Sequence, residues 1–340
     1  LNAQSNKAAD LLLVHTKAMK KSIAVVCGGF SGESVVSMRS AQMVMNNIDR
    51  SLYNPLKIVV TPTRWYAEFE GSEIDVNRAD FTVTIAGQTR HFDGVFMIIH
   101  GTPGENGILQ GYFELLRIPT TTGDTLNMAL TFNKKMTTRV LATFGFRVAQ
   151  STTLKATEPY SVQGILDIVS LPCFVKPNCG GSSIGTSRVN AAEDLHRAID
   201  LAFKADDQII IEEFIQGDEV TCGVIQWEGQ ITALPITQII SKKEFFDYEA
   251  KYQGQSEEIT PAPINQELYR LVQLQAEEIY KRLDCRGMIR VDFIIRGSEI
   301  FVIEVNTTPG FSEASIIPQQ AAVQGIDKQS LITAVIQSCY

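Results

Sequence analysis

Three residues with hard oxygen donors stand in an otherwise apolar stretch late in this 340-residue sequence: Asp292, Glu304 and Asn306, within Arg290–Gly310. Their neighbours are Val291, Phe293, Ile294 and Ile295, then Ile300, Phe301, Val302, Ile303 and Val305. These β-branched and aromatic runs predict two strands joined by a Gly-Ser turn. A carboxylate in a buried apolar strand is costly unless it is paired, hydrogen-bonded or bound to a metal. Glu304 and Asn306 are two apart and leave one face of their strand. An odd-length loop over Gly297–Glu299, with a bulge, sets Asp292 opposite Glu304 on that face. Three oxygen donors without sulfur or imidazole suit Mg²⁺, whose octahedron nucleotide phosphates and water complete. Arg290 shares the face and is placed to hold an anion beside the metal. Pro309-Gly310 stops the strand and offers backbone N–H groups. The alternative is a hairpin whose acids lie on a solvated edge.

The elements that must position this hairpin read as an α/β chain. Ser22–Cys27, Leu56–Val60 and Gly94–His100 are short apolar strands of the kind buried in a parallel sheet. Two of them run into glycine-rich loops, Gly28–Glu33 and Gly101–Gly107, the first followed by a helix from Ser34 to about Ile48 and the second by one over Ile108–Leu116. In an open α/β sheet, ligands sit at the carboxyl ends of strands, so the two loops are placed to wall one pocket. Neither is a G-x-G-x-x-G fingerprint, and there is no P-loop. Glu33 is either a helix-start acid favoured by the dipole or the partner of a ligand's ammonium. His100 reads as a capping or core residue, or as a substrate contact. The stretch from Arg64 to Gln88 is polar and predicts irregular structure.

Asn127–Lys135 predicts one helix carrying exposed lysines, so that Lys134 alone is a surface residue. Phe174–Pro177 predicts a strand with Lys176 at its end. It runs into Asn178–Gly185, a small-residue loop whose backbone and hydroxyls suit a lid on nucleotide phosphates. Residues 191–204 predict an amphipathic helix, and Gln208–Phe214 a strand. Glu212, Glu213 and Glu219 suit an adenine amino group and ribose hydroxyls; a charged turn is the alternative. Lys242–Gly254 predicts an ordered loop folding over a site. Gln266–Leu283 predicts a helix packed on the sheet that carries the hairpin.

Composition sets the limits. The net charge of −8 argues against a nucleic-acid or anionic-membrane surface, so any phosphate site is local. Six cysteines with no C-x-x-C pair fit reduced thiols in a cytoplasmic protein. No apolar run reaches the ~18 residues of a membrane span. The first ~20 residues read as an extension rather than a signal peptide.

In order, the motifs are Gly28-Gly29-x-Ser31-x-Glu33; His100-Gly-x-x-Gly-Glu-x-Gly107; Asn133-Lys134; Val175-Lys176-Pro177 with Gly181-Ser182-Ser183-x-Gly185; Asp247-Tyr248-x-x-Lys251-Tyr252; Arg290-x-Asp292; and Glu304-x-Asn306-Thr-x-Pro-Gly310. Over roughly residues 20 to 338, this series resembles the D-alanine–D-alanine ligases of the ATP-grasp superfamily. The resemblance implies a three-part α/β architecture. A parallel-sheet N-terminal domain spans 21–122 after an extension over 1–20. A small central α+β lid domain spans 123–208, and a C-terminal mixed-sheet domain spans 209–340.

For the site, the resemblance implies that Lys134 and Lys176 contact ATP phosphates under the loop holding Gly181, Ser182 and Ser183. Lys251 adds a nucleotide contact, and Glu212, Glu213, Ile215 and Glu219 hold adenine and ribose. Asp292, Glu304 and Asn306 bind two Mg²⁺ ions, with Mn²⁺ able to substitute. Glu33 takes the ammonium of the first D-alanine and forms a triad with Ser182 and Tyr252. His100 faces substrate, Arg290 and the Gly310 N–H stabilise an oxyanion, and Ser315 anchors the second substrate's carboxylate. A cytoplasmic homodimer feeding peptidoglycan synthesis is the implied setting. Asn106 replaces the usual Asp, Cys179-Gly180 precedes the serine loop, and Ser312-Glu313-Ala314 replaces the commoner Thr-Ser-His. The rivals are a ligase making D-alanyl-D-lactate or D-alanyl-D-serine, a non-catalytic ATP-binding regulator, and another ATP-grasp enzyme such as a carboxylase subunit. Tyr252 favours the dipeptide former.

Overall fold

The computed structural model describes residues 20–241 and 256–340. Three sheets carry the fold. The first holds β1 (Lys21–Gly28), β2 (Tyr53–Val60), β3 (Trp65–Phe69), β4 (Ser72–Asn77), β5 (Thr82–Ile85), β6 (Gln88–Arg90) and β7 (Gly94–Met97), in the order β6-β5-β4-β3-β2-β1-β7. Its β2-β1-β7 end is parallel, as the apolar runs predict. Helix α1 (Ser34–Asn47) packs on β1, and α2 (Ile108–Leu116) follows the second glycine-rich loop. Side chains of β1 alternate between two cores, Ile23, Val25 and Cys27 in one and Ala24 and Val26 in the other.

The polar stretch from Arg64 to Gln88 is not irregular. It forms β3 to β6, an antiparallel extension of the same sheet. Two of its turns are Glu70-Gly71 and Ala86-Gly87, with φ of 47° and 78°, and of 49° and 79°. Paired positive φ is the tight-hairpin geometry that matches strand twist. The usual signal is Asn-Gly or Asp-Gly, which these dipeptides lack.

The second sheet is small and antiparallel. Helices α3 (Thr125–Phe132) and α4 (Lys134–Thr143) lead to it, with β8 (Arg147–Val148) passing to the third sheet. It contains β9 (Ser151–Lys155), β10 (Cys173–Pro177), β11 (Ser187–Val189) and β12 (Gln208–Glu213), ordered β11-β10-β12-β9. Between these strands lie α5 (Val162–Leu166) and α6 (Leu195–Phe203). Leu195, Ala198, Ile199 and Ala202 give α6 the i, i+3, i+4, i+7 stripe that buries it on the sheet.

The third sheet holds β13 (Asp218–Trp227), β14 (Gln230–Ala233), β15 (Thr237–Ser241), β16 (Ser256–Ile259), β17 (Met288–Arg296) and β18 (Glu299–Asn306). Its order is β16-β15-β13-β17-β18-β8, with β14 also on β13. Helix α7 (Gln266–Arg282) covers one face, while α8 (Ile316–Val323) and α9 (Lys328–Gln337) close the chain. Val291, Phe293 and Ile295 point into the core under α7 with Val220, Cys222 and Val224.

The hairpin's register corrects one detail of the sequence reading. Its loop is the two-residue Gly297-Ser298, with Arg296 paired to Glu299. The extra residue is Ile303, inside β18: Phe293 pairs with Val302, and the next pair is Asp292 with Glu304. The carboxylates face each other as expected, through a bulge in the strand rather than an odd loop.

Phe293 is fully buried on the core face, one residue from Asp292 on the site face. Phe293→Ala is expected to cost about 3–5 kcal/mol of stability. A calorimetric scan would show a large fall in Tm, and an unchanged Tm would mean that the core collapses onto the gap.

Candidate active site

The site face of the third sheet is a row of polar side chains across three paired strands. Thr221 of β13 pairs with Asp292 of β17, which pairs with Glu304 of β18. Asp292 is held by four donors. Arg290 Nε and Nη2 donate to its two oxygens at 2.8 Å each, Thr221 Oγ1 donates to Oδ1 at 2.6 Å, and Asn306 Nδ2 donates to Oδ2 at 3.0 Å. Desolvation opposes the Arg290 charge, but Asp292, with Glu304 and Glu219, outweighs it and holds the guanidinium pKa above its ordinary value.

Lys134 is not a surface residue. The predicted single helix breaks at Asn133, whose side chain caps α4 by accepting from Met136 N. Asn178 of the lid completes the cap: its backbone and side-chain oxygens accept from the N–H groups of Lys134 and Lys135. The Lys134 ammonium therefore points inward, donating to Gly180 O at 2.6 Å and lying 3.2 Å from Glu304. Burial works against its charge, and Glu304, helped by Glu212, more than restores it. Lys176, on β10, pairs with buried Glu212 of β12 at 2.5 Å.

Lys134, Lys176, Glu212, Asp292 and Glu304 line a cleft of about 440 Å³ between the second and third sheets. Every expected nucleotide contact borders it except Lys251, which, like Tyr252 and the whole of the predicted loop at 242–254, lies outside the described residues. Ile215, Ile294 and Ile303 give the cleft an apolar end. The bulge brings Ile303 to the same lining as Glu304. Ser182 and Ser183 have φ of 55° and 56°, a left-handed backbone that non-glycine residues rarely hold. Ser182 Oγ donates to Glu33 Oε1 at 2.5 Å, joining the lid loop to the first sheet's glycine-rich loop.

His100 is buried with both ring nitrogens engaged. Ser40 Oγ accepts from Phe311 N at 3.2 Å, so its proton is available to His100 Nε2, also at 3.2 Å. Nδ1–H then donates to Thr308 O at 2.8 Å. Burial lowers the imidazole pKa, in keeping with this neutral tautomer. The direct substrate contact expected of His100 therefore has no nitrogen to make it; the ring ties α1 to the turn carrying Gly310. Ser315 Oγ accepts from Ser312 N at 2.9 Å and lies 3.2 Å from where a side chain on Gly310 would begin. A side chain at residue 310 would thus crowd the expected anchor.

Three supporting residues escape the sequence reading. Thr221 and Ser40 are ordinary threonine and serine until the register is known. Glu105 sits inside the second glycine-rich motif, where residue type alone assigns it no role. Its Oε2 accepts from Gly101 N at 2.6 Å and its Oε1 from Thr308 N at 3.3 Å. Removal from water, reinforced by Glu33, pushes its carboxyl up to about 8.

The donors fit a hard cation. Two carboxylates, Asp292 and Glu304, share one face with the Asn306 amide, while Arg290 and Lys134 balance their charge. Among the described residues no three His, Cys, Asp or Glu side chains are placed to hold a metal ion by themselves, and Mg²⁺ commonly completes its shell with phosphate oxygens and water.

Residues 22–123 match the family described as D-ala D-ala ligase N-terminus, and residues 136–337 match D-ala D-ala ligase C-terminus. A D-alanine--D-alanine ligase from Phocaeicola vulgatus is 43% identical over 94% of this chain and 99% of its own length. One from Flavobacterium johnsoniae is 44% identical over 93% and 98%. Among solved structures, the VanG D-Ala:D-Ser ligase from Enterococcus faecalis superposes with a TM-score of 0.84 at 32% identity, covering 94% of this chain and 100% of that one. The D-alanine-D-alanine ligase from Coxiella burnetii also gives 0.84, at 27% identity, over 95% and 94%.

The Glu105 carboxyl takes its proton near 8 in the folded chain, against an ordinary value of 4.5. Between those values the folded state binds more protons, so this group's stabilising contribution is lost as pH rises through the interval. Glu105→Gln lacks that dependence. Its Tm is expected to gain on wild type from pH 5 to about 8 and then level off. A pH-independent difference would mean that Glu105 ionises normally.

Proposed function

The chain belongs to the D-alanine–D-alanine ligase family of ATP-grasp enzymes, and from that premise we propose how its cleft joins two D-alanines at the expense of ATP. One observation carries the assignment of roles. Lys134, Lys176, Asp292 and Glu304 converge on a single cleft whose lid is hydrogen-bonded to Glu33.

The adenine lies at the apolar end beside Ile215, Ile294 and Ile303, with Glu212, Glu213 and Glu219 for its amino group and the ribose. Lys134 and Lys176 meet the phosphates beneath Gly181, Ser182 and Ser183. Phosphoryl transfer needs alignment and charge neutralisation more than acid–base chemistry, which is what two half-buried ammonium groups supply. Mg²⁺, held by Asp292, Glu304 and Asn306, would neutralise further phosphate charge when bound; we propose two ions, with Mn²⁺ able to substitute.

Glu33 holds the ammonium of the first D-alanine. The carboxylate oxygen of that D-alanine attacks the γ-phosphorus, ADP departs, and an acyl phosphate forms. The closed lid keeps water from that intermediate. The amine of the second D-alanine, its carboxylate at Ser315, attacks the acyl carbon. Negative charge develops on the carbonyl oxygen, where the Arg290 guanidinium and the Gly310 N–H receive it; the acyl C–O bond then breaks, and phosphate leaves with the proton that the amine gives up. His100 and Glu105 act through the Thr308–Gly310 turn rather than on substrate. The domain divisions after residues 122 and 208 are part of this proposal. So is a homodimer working in the cytoplasm on peptidoglycan precursors. Among the described residues no helix is long and apolar enough to cross a membrane.

Phosphate release from Mg·ATP is the decisive assay, with D-alanine, L-alanine, D-lactate and D-serine offered singly and in pairs and the products weighed by mass spectrometry. Release and a dipeptide mass with D-alanine alone are expected. Release only when D-serine or D-lactate joins D-alanine would move the reading to that product. D-serine is included because the similar VanG enzyme is a D-Ala:D-Ser ligase.

Arg290→Ala should lower kcat by about 100-fold or more and change the KM for ATP by only a few-fold. Equal losses in both would remove Arg290 from the oxyanion.

A further inference from the structure

Strand β13 has a gap in its ladder, and a side chain fills it. The strand pairs with β15 up to Thr221 and with β14 from Val224. Between those partners the chain runs Leu234-Pro235-Ile236. Leu234 N still donates to Gly223 O at 2.8 Å. Pro235 has no N–H, and Ile236 N donates away from the strand, to the Tyr269 hydroxyl at 2.8 Å. Gly223 N is thereby left without a strand partner on that edge, and Thr221 O, at the last pair with β15, borders the same gap.

Gln320, on α8, supplies one. Its Oε1 accepts from Gly223 N at 3.0 Å, and its Nε2 donates to Thr221 O and to Thr237 Oγ1, both at 3.0 Å. The primary amide offers one carbonyl and two N–H bonds, and all are used at a fully buried position. The amide's orientation follows from its partners, since Gly223 N can only donate and Thr221 O can only accept. Gly223 admits this contact: a Cβ there would lie 2.6 Å from Gln320 Oε1 and 2.5 Å from Ile317 Cδ1.

The same helix begins directly after Ser315, and Thr221 is the residue whose hydroxyl holds Asp292. We infer that Gln320 is a positioning residue that sets the second substrate's subsite against the phosphate and metal side chains, by locking α8 to β13 through a stand-in for the missing strand. This inference rests on Ser315 as the anchor of the second substrate's carboxylate. Reaction of the first D-alanine with ATP involves residues on other elements, so losing Gln320 should separate the two half-reactions.

The test uses the full chain. Gln320→Met keeps length and volume but removes the acceptor and both donors. Gln320→Glu keeps an acceptor toward Gly223 and is read in the same way should the first variant fail to fold. Two rates are compared at matched D-alanine concentrations. One is exchange of ¹⁸O between bridging and non-bridging β,γ positions of ATP, which requires only reversible acyl phosphate formation. The other is dipeptide formation. The ratio of exchange to dipeptide should rise about tenfold, with the second D-alanine KM rising similarly and the ATP KM held within about twofold.

Parallel loss of both rates would make Gln320 a purely structural residue and overturn the inference. Ser315→Ala separates the layers. A raised second KM in Ser315→Ala with an unchanged ratio in the Gln320 variants overturns this inference alone. An unchanged second KM in Ser315→Ala overturns the Ser315 assignment and the inference together.

Discussion

A carboxylate in the middle of an apolar sheet has to be satisfied, and the way Asp292 is satisfied organises the catalytic half of the molecule. Val291 and Phe293 on either side are fully buried. The strand therefore cannot roll the aspartate out to water without exposing the core. Its charge must instead be met where it stands. Arg290 meets it from the same strand, Thr221 from one neighbour and Asn306 from the other. Each donor is fixed by register, so strand pairing and site geometry are one constraint. Isolated, such a charge would favour protonation or unfolding. Surrounded by aligned donors it becomes a rigid point to which phosphate and cation chemistry can be referred.

Three contacts bring the other sheets to that point. Lys134 reaches both Gly180 of the lid and Glu304. Ser182 reaches Glu33. His100 and Glu105 together clasp the Thr308 backbone, Glu105 receiving its N–H and His100 meeting its carbonyl. All three tie side chains to backbone or to charged partners rather than apolar faces to one another. Polar contacts of this kind set relative orientation sharply, beside an apolar cluster in which Val25 and Phe96 of the first sheet pack with Met288, Phe311 and Ile317.

Much of this is legible in the sequence because chemistry-bearing residues interrupt otherwise regular patterns. The hairpin announces itself as acids in a β-branched run, and the parallel end of the first sheet as short apolar strands, two of which run into glycine-rich loops. The signals fail where structure depends on geometry that residue type does not encode. Strands β3 to β6 turn on Glu-Gly and Ala-Gly pairs whose positive φ is a property of the fold. The helix break at Asn133 is visible only once Asn178 is known to stand beside it. Pattern assigns Lys134 to the surface and resemblance assigns it to the nucleotide, and the second is nearer to its position. Thr221 and Gln320 carry no local signal, because their partners lie 71 to 99 residues away along the chain.

The bulge at Ile303 divides the hairpin into two mutational regimes. Between the turn and the bulge, pairing follows the two-residue loop, and exposed Arg296 can be replaced without touching the site. Beyond the bulge, each position on one face is an oxygen donor, a cation or a cavity wall. A one-residue insertion or deletion near the turn has a place to be absorbed, by moving or erasing the irregularity. The same change after Glu304 has none and would exchange Asn306 with the core. Lineages descending from such a chain should therefore drift in length at the turn and stay fixed in length from Glu304 to Gly310.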